Sequence, residues 1–231
     1  MSERKNTAMW KILAAAAAVA LAILAGPVEG IADSVTEGLL RSAAAADDSS
    51  AIRSLLNQGV PVDARDGDGR TALMIATRRN ATAAADVLMR AGADVNARDH
   101  AQDSPFLHAA AEGFADILVM MLNHGADLTA TNRVGSTALF PAAEHGYVDA
   151  VRVLLAAGIQ VDAVNNQGWT ALIEAIVHGN GGSRQREVVR ALIKARAGVN
   201  LPDREGHTPL TLARERGYTE IAAILVAAGA R

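Results

Sequence analysis

The chain has 231 residues, half of them hydrophobic but only 3% aromatic, and a formal net charge of -3. Few aromatics beside abundant alanine require a core of small residues packed closely, and an acidic balance without a basic block argues against nucleic acid as the main partner. The absence of cysteine excludes disulfides, a lipid anchor on cysteine, thiolate zinc sites and cysteine nucleophiles.

The segment from Met1 to Ala32 differs in kind from the rest. Arg4, Lys5 and Lys11 precede an unbroken apolar run from Ile12 to Ala25, and the small-residue stretch GPVEGIA follows. A basic start, a short apolar run and small residues predict a secretory signal peptide over residues 1–32, cut after Ala32, with Ala25 as a second cleavage site. The run is short for a membrane span, which needs about 20 apolar residues. The alternative is an uncleaved segment anchoring the chain in the inner membrane. Either reading exports residues 33–231.

Those residues repeat. The triplets TAL at Thr71, SPF at Ser104, TAL at Thr137 and TAL at Thr170 start at equal intervals, TPL at Thr208 follows after a slightly longer one, and a weaker copy, GLLRSA, starts at Gly38. The far end of the unit repeats as well, in LLNQG, LMRAG, MLNHG, LLAAG, LIKAR and LVAAG. Each position has a physical reason. The Thr or Ser hydroxyl caps a first helix, and Pro105 and Pro209 sit at its first position, where no N–H is needed. Gly113, Gly146, Gly179 and Gly217 end that helix, and Asn80 fills the place where the left-handed conformation is required. Val151, Leu154 and Leu155 stand at helical spacing in a second helix, which a glycine closes. Alanines such as Ala109, Ala110, Ala142 and Ala143 let neighbouring helices approach.

The period, the T-x-L start, the mid-unit glycine and GADVNARD at Gly92 resemble the ankyrin repeat, from about Ser34 to Arg231. The resemblance implies an all-α, ankyrin-repeat solenoid of helix-turn-helix units joined by β-turn hairpin loops, each unit contacting mainly its neighbours. The units are an N-terminal cap at 34–66, central units at 67–99, 100–132, 133–165 and 166–203, and a C-terminal cap at 204–231. Five departures stand out. Met74, Leu107, Phe140, Ile173 and Thr211 occupy the place of the family's usual histidine, so apolar packing must replace a hydrogen-bonded link. Gln102 replaces a turn glycine. Pro141, at the fourth position of a first helix, removes a backbone bond and is expected to distort the helix start. Arg196 takes a closing-glycine position, leaving that end strained or differently shaped. GNGGSRQ at 179–185 lengthens its unit and reads as a flexible, tolerated loop, with a partner-gripping loop as the alternative.

Chemical motifs are scarce. RDGDGR at 65–70 lacks the alternating ligands of a calcium loop. GNGG is followed by no Gly-Lys-Ser/Thr, and nothing like G-x-S-x-G marks a nucleophile. His145 and His178 are separated by one repeat period and so fall at one place in successive units, but Glu112 and Arg216 continue that column and no third ligand is evident. His124 is placed at a helix C-terminus, where a cation is favoured. No catalytic residue, metal or cofactor is predicted, and the protein is expected to be a non-enzymatic monomer.

In the ankyrin family the contact positions flank the turn glycine and precede the mid-unit glycine. Carried over, the partner-binding residues are Arg70, Asp103, Arg133, Trp169 and His207 on the turns, and Arg78, Arg79, Glu112, Glu144, His145, His178 and Arg216 on the helices. Trp169 serves there either as an exposed interface anchor or as a lid folded onto the next turn. The mixed charges suit another protein and not a membrane or nucleic acid. Resemblance to exported bacterial ankyrin proteins implies a periplasmic accessory role in stress defence, supporting a catalase. The alternatives are a toxin-neutralising, immunity-type protein or a metal- or haem-handling protein using surface histidines.

Overall fold

The computed structural model describes residues 29–231. The predicted signal segment falls almost wholly outside them. Among the described residues there are twelve helices in six hairpins: α1 Glu29–Ala45 with α2 Ser49–Asn57, α3 Ala72–Arg78 with α4 Thr82–Arg90, α5 Pro105–Ala111 with α6 Ala115–Asn123, α7 Leu139–Glu144 with α8 Val148–Ala156, α9 Ala171–Val177 with α10 Ser183–Lys194, and α11 Pro209–Glu215 with α12 Thr219–Ala227. First helices pack on first helices and second helices on second helices down the series, so the core is a two-layer pile of neighbours. No strand is present among the described residues, only an isolated bridge between Thr131 and Thr137.

Local chemistry explains where the helices begin and end. Thr71, Ser104, Thr170 and Thr208 each accept a hydrogen bond through the side-chain oxygen from the backbone N–H three residues on, at 3.2–3.3 Å, and Pro105 and Pro209 occupy the first turn. Five of the six first helices then end on a left-handed residue, as at Asn80 with φ 51°, and the following N–H reaches back: Ala81 N donates to Ala76 O at 2.9 Å; the expected Gly179 at the end of α9 is the exception. This backbone closure orients the second helix, which in five of the six hairpins has no side-chain cap of its own.

The alanine-rich faces let the layers meet. Ala72, Ala76, Ala109, Ala110, Ala142, Ala143, Ala171 and Ala175 are wholly buried beside Leu73, Phe106, Leu139 and Leu172. Met74, Leu107, Phe140 and Ile173 are buried where the family's histidine usually stands, so apolar packing does replace that link. Thr211 is exposed instead, its hydroxyl 3.1 Å from that of Thr208. Along the turns Arg65 donates to Arg98 O, and Arg98 in turn donates to Thr131 O at 2.9 Å, a side-chain ladder tying successive units.

The departures take physical form. Gln102 and Arg196 adopt left-handed φ values of 62° and 68°, so both hold a glycine conformation with a side chain attached. Pro141 distorts the start of α7 as expected. Ala138 is already helical, Phe140 N donates to Thr137 O, and the Thr137 hydroxyl, which caps nothing, is buried without a partner.

The expected flexible loop at 179–185 is corrected. Residues 183–185 are helical, extending α10 to 12 residues where the other second helices have 9. Gln185 is buried, and its Nε2 reaches the carbonyls of Ala143 (2.6 Å), Ala175 (2.8 Å) and Glu144 (3.2 Å). The Tyr218 hydroxyl donates to Gly179 O at 2.8 Å, and a Cβ on Gly181 would strike the Tyr218 ring. Most of the inserted length is thus absorbed into packing.

Candidate protein-binding face

Turn tips and first helices together form one long face, the second helices the opposite one. Each turn is held by an Asp or Asn that accepts backbone N–H groups: Asp66 from Asp68 and Arg70, Asp99 from Asp103, Asn132 from Val134 and Ser136, Asn165 from Gln167 and Trp169, and Asp203 from Glu205 and His207. These residues carry the turn geometry and were not singled out by sequence.

Several predicted contact residues prove to be occupied within their own turns. Arg70 pairs with Asp66 at 2.9 Å and with Asp68, so its charge is neutralised locally. The Asp103 carboxylate takes the Ser104 N–H at 3.0 Å and lies 3.1 Å from His108 Nδ1. His207 Nδ1 is 3.3 Å from Asp203 and 3.6 Å from Glu205. The remaining charged positions Arg78, Arg79, Glu112, Arg133 and Arg216 are exposed or half-exposed, and Glu144 is half-buried. Arg70, Arg78 and Arg79 are brought together around a cavity of about 410 Å³ between α1 and α3, with Ala45 and Ile75. Asp103 and Arg133 share another of about 300 Å³ between α5 and α7.

Trp169 is neither fully exposed nor fully covered. It is half-buried against the core, and its ring meets that of His178 at 5.4 Å and 54°. His145 stacks on Tyr147 at 5.6 Å and 8°, with Nδ1 2.9 Å from Pro141 O. Each histidine of that column therefore has an aromatic neighbour, and neither joins a metal-ligand group among the described residues. The group of three that does form there is Asp203, Glu205 and His207, with ligand atoms within 4.8 Å of one another. Burial disfavours the charge on Asp203, but N–H groups of His207 and Glu205 and the His207 ring outweigh it and hold the carboxyl below its ordinary range. His124 ends α6 as expected, its Nδ1 2.8 Å from Met120 O.

Sequence reasoning missed Glu174. It is 7% exposed on α9, and burial, reinforced by the charge of Glu144, pushes its carboxyl up to about 7 against the opposing hydrogen bond from Asn165 Nδ2 at 3.3 Å. Asn165 is itself buried and reaches Ser136 Oγ at 3.5 Å. The available signal was a single charged residue inside the apolar run ALIEAIV.

A family model described as ankyrin repeats (3 copies) matches residues 12–99, 40–132 and 106–194. The chain is similar to a crystal structure of an ankyrin repeat domain from Acinetobacter baumannii AYE, 56% identical with a TM-score of 0.80, over 83% of this chain and 98% of that one. It is similar to the ankyrin repeat protein EF0377, 38% identical with a TM-score of 0.78, over 82% and 97% of the two chains. The ankyrin repeat domain of Bcl-3, a member of the IkappaB protein family, is 27% identical with a TM-score of 0.76, over 84% and 86%. Among curated proteins, the ankyrin repeat protein YahD of Escherichia coli (strain K12) is 51% identical over 51 residues, which are 22% of this chain and a quarter (25%) of that protein. The chain belongs to the ankyrin repeat family, whose fold mediates binding between proteins.

Proposed function

We propose that the protein is exported and works without catalysis in a bacterial periplasm, holding a protein partner on the face made by its turns and first helices. The observation that carries this is the row of charges Arg78, Arg79, Glu112, Arg133 and Arg216 on that face, with His145, His178 and the half-buried Trp169 set among them. Such a row offers a large aromatic anchor inside a polar surround, the composition of a protein interface. Export is supported by the basic start and the apolar run Ile12 to Ala25. Cleavage after Ala25 leaves α1 entire, and cleavage after Ala32 leaves its buried residues Leu40, Ala43 and Ala44. A catalase-supporting role and a toxin-neutralising role are two instances of this function, and the partner's identity separates them.

The test replaces Trp169, Arg79 and His145 together by alanine and measures capture of periplasmic partners by the folded protein. Loss of a partner that the parent holds is expected. Unchanged capture places the interface elsewhere. Titration of the parent with zinc, copper and haem tests the metal-handling alternative, and saturable binding through His145 and His178 would favour it.

A further inference from the structure

The binding face changes sign along its length. Arg70, Arg78 and Arg79 gather at its N-terminal end, and Glu112, Glu144 and the buried Glu174 follow in the middle. The three arginines border the cavity of about 410 Å³ between α1 and α3, and the rest of its wall is apolar, Ala45 and Ile75.

The charges at this seam do not balance. Arg70 is answered within its own turn, where it pairs with Asp66 and Asp68. Arg78 and Arg79 are the last residue and the C-cap of α3, both exposed, and neither side chain hydrogen-bonds or pairs with an acid among the described residues. Acids of the flanking hairpins are engaged elsewhere. Asp47 takes the Ala84 N–H at 2.7 Å, Asp48 caps α2, and Asp103 faces His108. On α1, one turn before Ala45, even the buried Arg41 Nη1 lacks an acceptor. Guanidinium donors are therefore in excess here, and the open ones are those of Arg78 and Arg79.

Resting on the binding face proposed above, we infer that this seam receives the carboxylate of a glutamate or aspartate side chain on an acidic segment of the protein partner, held by Arg78 and Arg79. A guanidinium presents paired N–H donors that match the two oxygens of a carboxylate. Ala45 and Ile75 offer an apolar wall to the methylene stem of such a side chain, which a free inorganic anion lacks. Asp66 and Asp68, beside Arg70, disfavour a multiply charged group. Glu112 and Glu144 repel the same segment from the middle of the face, so the change of sign fixes which way the partner lies.

The probe is acetyl-tetraglutamate amide, titrated into the full chain at low salt and followed by amide NMR shifts, with the tetraglutamine analogue and inorganic phosphate as controls. Saturable shifts at Ala45, Ile75, Arg78 and Arg79 are expected. Replacing Arg78 and Arg79 together by glutamine should weaken the peptide about tenfold, and Arg216→Gln, at the other end of the face, by less than about twofold. Because the contacts are exposed, affinity should also fall about threefold between about 0.05 and 0.2 M salt. Equal binding of the tetraglutamine analogue, shifts centred elsewhere, or phosphate binding as tightly as the peptide overturns the inference. Arg78→Glu with Arg79→Glu should abolish capture of the parent's partner. If that variant is folded and still captures it, the acidic segment is refuted, while Trp169→Ala with His145→Ala tests the binding face separately. If the parent holds no partner by that face, the proposed function fails and this inference fails with it.

Discussion

Helices α5 and α7 are neighbours with the same kind of start and opposite outcomes. In α5 the proline is at the first position, Ser104 caps Leu107, and His108 N donates to Ser104 O at 2.9 Å. In α7 the proline falls where His108 stands, three positions later, and has no N–H to give. The Thr137 carbonyl is taken by Phe140 N at 3.2 Å, the helix shortens to 6 residues, and the hydroxyl is stranded. The same residue type thus helps one helix begin and spoils its neighbour, and position alone decides which. The two helices also differ at their far ends. The poorly started α7 has its last carbonyls held by Gln185 from the next hairpin.

The largest effect is expected from cutting that compensation. Gln185→Ala leaves the buried Ala175 carbonyl without a donor, takes from the Ala143 carbonyl the closest of its donors, and should cost about 3 kcal/mol in denaturant unfolding. A loss under about 0.5 kcal/mol would show that water replaces the amide.

Glu174, facing Glu144 at the end of α7, gives the same seam a pH dependence. Its carboxyl titrates at about 7 in the folded protein against 4.5 ordinarily, so between those values the native state holds a proton that the unfolded state has lost. Its contribution is therefore intact below about 4.5 and falls as pH rises through about 7, by about 1–3 kcal/mol. Glu174→Gln should flatten that part of a stability-versus-pH profile, and an unchanged profile would mean the carboxyl is ionised throughout.

Two smaller changes sharpen the contrast of the starts. Pro141→Ala returns the N–H and should raise stability by about 1–2 kcal/mol, seen as a higher Tm. Ser104→Ala should cost about 1 kcal/mol, whereas Thr137→Ala should cost less than half of that until Pro141 is also replaced. Equal costs for the two caps in the parent would contradict the account of α7.

Much of this architecture was legible because repeated local chemistry writes it. The capping Thr and Ser, the two first-position prolines and the left-handed Asn80 act within a few positions of themselves, so their spacing reveals them. The disturbance at Pro141 was legible for the same reason. The fate of 179–185 was not, because Gln185 and Gly179 are ordered by Ala143, Glu144 and Tyr218, which are distant in the chain. The face itself was placed by the turn residues, but what holds each side chain was hidden. Arg70 and His207 are bound by acids of their own turns, and Trp169 leans on His178 across a helix. Glu174 escaped notice because its burial depends on the adjoining hairpin.

The central claim is that one long face of the pile, and not the other, holds a protein. Photo-crosslinking residues placed in living cells at 79, 145 and 169 on that face, and at the exposed positions of Arg90 and Arg152 on the second helices, test it directly. A shared adduct from the first three positions and none from the last two is the expected result. Adducts of equal yield from both faces, or only from the second helices, would contradict it.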